Sequence, residues 1–154
     1  MKNIFLILSI LLLTNCGFKT IKSLNVNNYQ IKEIKTIGDR RVNYKIKNHL
    51  ILNSIKGNKN LLLINLDTKK VKEIKEKNIK NQITKYAISI NSTIKINLIE
   101  NGENINFSLS ISGDYLVGEN YSSTLNNEKR LIEVLVDELS KNILNEINLK
   151  INDL

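Results

Sequence analysis

Residues 86–98 read YAISINSTIKINL. The even positions are Tyr86, Ile88, Ile90, Ser92, Ile94, Ile96 and Leu98, and the odd ones are Ala87, Ser89, Asn91, Thr93, Lys95 and Asn97. Successive side chains of a strand point to opposite faces, so this alternation predicts a strand with one apolar and one polar side. Asn101-Gly102 follows, the pair that most strongly favours a tight hairpin. Beyond it the apolar residues move to odd numbers: Ile105, Phe107, Leu109 and Ile111, continued by Gly113 and Tyr115. The alternate positions are Asn104, Asn106, Ser108, Ser110, Ser112 and Asp114. Two long antiparallel strands over 86–115 therefore share an apolar face and a polar one. The polar face is rich in Ser, Asn and Thr and nearly uncharged, which suits enclosure by another protein. The codon bias of an AT-rich genome is the alternative account of the same composition.

The apolar face needs a cover. Ile132, Leu135, Val136, Leu139, Ile143 and Ile147 form a stripe at helical spacing, widened by Leu131 and Leu144. Ser122, Ser123 and Thr124 are candidate N-caps, with Glu128 as negative charge for the first turn. Upstream, Tyr29, Ile31 and Ile34–Ile37 suggest a first strand, and Gly38-Asp39 a turn and helix N-cap. Val42, Ile46 and Leu50 recur every four residues, and Gly57 is the expected C-cap. Leu61–Leu66 has strand length and runs into Asp67-Thr68-Lys69-Lys70, a turn-like or loop-like tetrad. The order strand, helix, strand, long hairpin, helix predicts an α+β fold: a two-layer sandwich of about four strands with two helices on one face.

The N-terminus reads MKNIFLILSILLLTNCG. Lys2 precedes an apolar run, Ile4–Leu13, too short to span a bilayer and of the length of a signal-peptide core. Leu13-Thr14-Asn15-Cys16 follows the pattern of a bacterial lipobox, with Asn15 in place of the usual small residue. The expected organisation is a lipoprotein signal peptide over 1–15, a lipidated tether over 16–28, and a single domain over 29–154. Cys16 is the expected lipid-attachment site, and Gly17 in place of Asp favours the outer membrane and its periplasmic side. Cys16 is the only cysteine, so no disulfide supports the domain.

Little in the sequence points to catalysis. There is no Gly-rich phosphate loop, CxxC, His-x-x-x-His or Gly-x-Ser-x-Gly, and neither metal nor cofactor is expected. The single His49 reads as a helix-edge residue. Asp67, Asp114 and Asp137 have no reason to converge. Net charge is +8, which suits an anionic partner, although an Asn/Ile/Lys-rich composition inflates lysine without function. A periplasmic location disfavours nucleic acid. Lysines at 69, 70, 72, 75, 77, 80 and 85 crowd one segment, interleaved with Asp67, Glu73 and Glu76. This reads as a solvated loop, as a short mixed-charge helix, or as a loop gripping a phosphorylated ligand.

Cys16-Gly17-Phe18, Ile83-Thr84-Lys85-Tyr86 leading into the alternating strand, the hairpin partner with Phe107, and Asn127-Glu128 opening the last helix together resemble the LptE family of lipopolysaccharide-assembly lipoproteins. The resemblance implies two helices against a four-stranded sheet, held as a plug inside the β-barrel LptD. It implies no catalysis, and a role in inserting lipopolysaccharide into the outer leaflet. Better-known members carry a basic residue where this chain has Ile79 and another where it has Leu125. The lipopolysaccharide-binding candidates are therefore the neighbouring Lys77, Lys80 and Lys85. The competing class is another periplasmic accessory lipoprotein, such as an activator of a peptidoglycan synthase or a subunit of a lipid transporter.

Overall fold

The computed structural model describes residues 29–153; the expected signal peptide, Cys16 and the expected tether lie outside them. A four-stranded sheet carries two helices on one face, the α+β sandwich expected from the sequence. In chain order the elements are β1 (Gln30–Gly38), α1 (Arg40–Leu52), β2 (Leu61–Lys77), β3 (Ile83–Leu98), β4 (Asn104–Leu116) and α2 (Tyr121–Asn152). The spatial order is β1-β2-β3-β4. β1 and β2 are parallel and joined through α1, while the other pairs are antiparallel.

The crossover is held by a few groups at the end of β1. Gly38 has φ 94°, and a Cβ there would overlap the Thr68 carbonyl oxygen. That carbonyl accepts from the Asp39 N–H at 3.1 Å. Asp39 then caps α1, its carboxylate accepting from the N–H groups of Arg41 and Val42, both at 3.0 Å. Buried Asn43 donates to the Ile37 carbonyl and accepts from the Thr68 hydroxyl, both at 2.8 Å. The expected turn and cap at Gly38-Asp39 are therefore present.

Three local expectations are corrected. α1 ends at Leu52, with Asn53 as C-cap. Gly57 (φ 81°) instead lies in the following turn, where its N–H donates to Gln30 Oε1 at 2.8 Å. The Asp67–Lys70 tetrad is not a turn. It pairs with Thr93, Ser92, Asn91 and Ile90 in the middle of β2, because β3 along one side and, at Asp67 and Thr68, the end of β1 along the other supply sheet partners, which override local turn preference. α2 starts earlier than its Ser/Thr cluster suggests: Asn120 is the N-cap and Ser123 completes a reciprocal capping box.

β2 spans 17 residues, ~55 Å at roughly 3.3 Å per residue. The lysine-rich segment is its second half and the hairpin into β3, neither loop nor helix. The hairpin turn is built by Asn78, whose Oδ1 accepts from the N–H groups of Lys80 (2.9 Å) and Gln82 (3.0 Å). Asn81 completes it with φ 61°.

The core lies between sheet and helices. Its inner-face rows are Leu62, Ile64 and Leu66 of β2 and Ile88, Ile90, Ile94 and Ile96 of β3. From the helices come Val42, Ile46 and Leu50 and then Leu135, Val136, Leu139, Ile143 and Ile147, all buried. Burial of this apolar area is the main driving force for the fold. The predicted α2 stripe is thus present, with Ile132, Leu131 and Leu144 partly buried at its margins.

Candidate functional site

Two surfaces stand apart from the core: the open face of the sheet and the far end of the β2–β3 hairpin. The β3–β4 half of the open face is the polar face read in the sequence. Its side chains are tied together across the strands. Thr93 and Ser108 hydroxyls meet at 3.1 Å, Ser110 donates to Asn91 at 2.6 Å, and Asn97 donates to Asn104 at 3.1 Å. Such cross-strand bonds satisfy polar groups pairwise, leaving an exposed ladder without net charge apart from Lys95 and, at the end of β4, Asp114. The β1–β2 half differs, since Glu33, Lys35, Asp67, Lys69 and Glu73 stand on it in register. A shallow hollow of about 370 Å³ crosses the two halves, lined among others by Lys35, Ile37, Asp67, Thr93 and Lys95.

On the inner face, at the start of α2, lies a polar knot. Lys72 donates to Glu128 Oε2 at 2.6 Å, and the Tyr115 hydroxyl donates to the same oxygen at 2.8 Å. Lys72 Nζ lies 4.3 Å from the centre of the Tyr86 ring and 5.4 Å from that of Tyr115. The two rings stack with centroids 5.6 Å apart. Partial burial works against the charge on Lys72, but its bonds to Glu128 and Tyr115 outweigh this and hold the ammonium above the usual lysine range. Burial likewise opposes the Glu128 charge, and the Lys72 and Tyr115 bonds overcome it, so the carboxyl sits below its usual value. Burial, followed by the bond to Glu128, raises the Tyr115 phenol. Every charge in the knot is answered by another, and its chemistry is that of a clamp between β2, β4 and α2. Sequence reading missed it. The signal was the parity of β2: Leu62, Ile64, Leu66 and Thr68 continue inward as Lys70 and Lys72, whose long stems cover apolar surface while their heads find acids. Lys70 does so with Asp39 at 3.1 Å.

The candidate lysines flank the hairpin turn. Lys77 donates to Asn81 Oδ1 at 3.1 Å, and Lys80 lies in the turn itself. Lys85 is paired with Glu76 at 2.6 Å, which holds its ammonium above the usual value. Lys77 and Lys80 take part in no salt bridge among the described residues. The three are thus near one another, but Lys85 is already neutralised. Between Lys77 and Lys80 the turn presents Ile79, whose side chain is fully exposed.

His49 lies at the helix edge, its Nε2 3.3 Å from Asp137 Oδ1, joining α1 to α2. Asp114 is engaged by Lys75, so the three aspartates do not gather. Among the described residues no cluster of His, Cys, Asp and Glu is arranged to hold a metal ion, and no helix is long and apolar enough to cross a membrane.

No protein-family model matches the sequence, and no curated protein matches it. Solved structures do resemble it in fold. The rare lipoprotein B of Shewanella oneidensis superposes with a TM-score of 0.50 at 14% identity, over 79% of this chain and 94% of that one. A lipoprotein B of Nitrosomonas europaea gives 0.51 at 7% identity, over 80% and 86%. A protein of Caulobacter crescentus gives 0.56 at 11% identity, over 78% and 90%. At these identities the likeness establishes the shared two-helix, four-strand architecture over nearly the whole described domain.

Proposed function

We propose that this chain is a non-catalytic lipoprotein of the LptE type. It is anchored through Cys16 to the periplasmic side of the outer membrane and seated in an LptD β-barrel that delivers lipopolysaccharide to the outer leaflet. The observation that carries the reading is the hydrogen-bonded Asn/Ser/Thr ladder on the β3–β4 face. A face enclosed by another protein should bury little unpaired charge, and this half of the sheet carries three hydrogen-bonded pairs of polar groups with Lys95 and Asp114 as its charges. Fold likeness to proteins named as lipoproteins supports the same assignment, as does the lipobox pattern ending at Cys16. Lys77 and Lys80 are the candidate contacts to phosphorylated sugar, with Lys85 restrained by Glu76.

The charged β1–β2 half favours the second reading, an accessory lipoprotein working in open periplasm. Co-purification separates the two. Asn91→Asp with Thr93→Asp places two carboxylates at the centre of the ladder, the first opposite Lys69 and the second opposite Asp67, on exposed positions of an interior strand. Under the plug reading this pair leaves circular dichroism and melting nearly unchanged and abolishes recovery of the barrel from detergent-solubilised outer membrane. Undiminished recovery would make this face ordinary solvent surface and leave the accessory reading standing.

A further inference from the structure

The two edges of the sheet are built differently. β1 carries Lys32, Glu33 and Lys35 and a register shift between Ile31 and Glu33; charges and bulges are devices that keep an edge from pairing. β4 has none of these. Its 13 residues run NINFSLSISGDYL, pair with β3 without a bulge, and carry one charge, Asp114, close to the end. Its free backbone groups belong to the even residues. Leu98 N–H bonds the Glu103 carbonyl and Val117 N–H bonds the Thr84 carbonyl, so in this antiparallel ladder odd residues bond β3 and even ones point outward. A long, regular, uncharged edge is a template for another strand.

The side chains next to that edge are also incompletely covered. Ile105, Phe107, Leu109 and Ile111 are only partly buried. Above them α2 runs antiparallel to β4: Leu131 lies against Gly113, and Lys150 lies over Phe107. Val134 lines a groove with Tyr115, Leu116 and Leu131. Leu149, five turns from Leu131, points the same way. Val134 and Leu149 are large apolar residues in the open, at 56% and 58% exposure.

We propose that β4 is a homodimer interface, two copies of this chain pairing β4 to β4 antiparallel about Ser110. The pattern is self-complementary about that residue. Ser108 meets Ser112, Asn106 meets Asp114, Leu109 meets Ile111 and Phe107 meets Gly113, so faces match and no like charges meet. Ser110 lies midway between Phe107 and Gly113. The part of α2 above it lies midway between Val134 and Leu149, so the same two-fold axis brings Val134 of each copy toward Leu149 of the other. The second copy would thus satisfy the outward backbone groups and cover both apolar positions. The proposal does not rest on the barrel reading: it uses the edge of the sheet, and it concerns the chain outside a barrel, since a copy enclosed on its β3–β4 face would have no room for a second one on β4.

The test uses the full chain in detergent. Sedimentation velocity, with the detergent's contribution removed, should give a dimer at micromolar concentration. Ser110→Pro removes an N–H that β3 does not use, at an edge position where proline is tolerated, and should give a monomer with an unchanged melt. If that variant fails to fold, Ser110→Lys places two ammonium groups face to face on the axis and should give a monomer at low salt. Cα atoms facing across a hydrogen-bonded antiparallel pair lie about 5.5 Å apart, within disulfide reach. Ser110→Cys should therefore cross-link under mild oxidation, whereas Thr93→Cys and the unaltered chain should not. A monomer throughout the micromolar range overturns the proposal. So does a dimer that survives both Ser110→Pro and Ser110→Lys, or cross-linking no greater at position 110 than at 93.

Discussion

Lys72 Nζ stands 2.6 Å from Glu128 Oε2, joining the inner face of β2 to the start of α2. The pair is 39% and 22% exposed, so water screens it in part, and pairs of this kind couple by about 1 kcal/mol or less. The shared bond from Tyr115 puts this one at the upper end. A double-mutant cycle on Lys72→Met and Glu128→Gln should give coupling near ~1 kcal/mol in urea melts at neutral pH. The pH dependence has a fixed sign. Glu128 titrates lower in the folded chain than in the unfolded one, so its contribution is present at neutral pH and is lost as pH falls through the carboxylate range. The gap between the unaltered chain and Glu128→Gln should be full above roughly pH 5 and should close well below the ordinary glutamate value of about 4.3. A gap independent of pH would show that Glu128 acts through packing alone.

Thr68 and Asn43 form the buried link between β2 and α1. Thr68→Val keeps the shape and removes the donor, leaving Asn43 Oδ1 without its 2.8 Å partner. An unsatisfied buried acceptor costs about 1–3 kcal/mol, and thermal unfolding should show a loss in that range. Asn43→Leu also removes the donor to the Ile37 carbonyl, so the check is a double-mutant cycle: Thr68→Val should cost less in an Asn43→Leu background than in the unaltered chain if the cost lies in the orphaned acceptor.

The α2 stripe gives a sharper contrast. Leu139 is 1% exposed and Leu52 is 83% exposed. Leu139→Ala removes a large buried side chain and should destabilise by ~2–5 kcal/mol. Leu52→Ala should change stability by less than ~0.5 kcal/mol, as surface changes away from special contacts do. Equal effects in chemical denaturation would mean that the helix does not pack as described.

Where the sequence was legible, one strong signal governed each element. Period two fixed β3 and β4, Gly38-Asp39 fixed the end of β1 and the start of α1, and the stripe Ile132–Ile147 fixed α2; Asn101-Gly102 marked the hairpin but not a tight turn, since Leu98 and Glu103 pair across a loop over 99–102 in which Gly102 (φ 71°) and not Asn101 has positive φ. The second half of β2 was hidden because Lys69 to Lys77 carries almost no apolar residue. Its strand identity comes from the partner groups of β3, a tertiary cause that local preference does not register. Asn120 lost to Ser122–Thr124 as predicted cap because all four are good cap residues and only the close approach of Gly118 and Thr124 (2.9 Å) decides the entry. The knot at Lys72 was hidden for the same reason as β2, since its members come from four elements that only the register brings together. Lys77, Lys80 and Lys85 were legible as a group, but their differing freedom was not, because Glu76 lies across the hairpin from Lys85.

That difference yields a prediction for ligand binding. Lys77 and Lys80 flank the exposed Ile79 at the turn, and neither is held by an acid among the described residues, whereas Glu76 holds Lys85. An ammonium already engaged by a carboxylate offers less to a phosphate. Lys77→Ala with Lys80→Ala should therefore weaken lipopolysaccharide binding by the full chain at low salt. Adding Lys85→Ala should weaken it little further. Single exposed contacts are weak, so the pair is the smallest informative change. Salt should erase the difference between the pair and the unaltered chain as the Debye length shrinks from roughly 30 Å at 0.01 M to about 8 Å at 0.15 M. Lys141→Ala with Lys129→Ala, on α2, serves as the control for net charge. Ile79→Ser separates charge from apolar contact: if the turn touches acyl chains as well as phosphate, this change should weaken binding in a way that salt does not erase. An equal loss from the control pair would assign the effect to net charge, and the turn would have no special part in it.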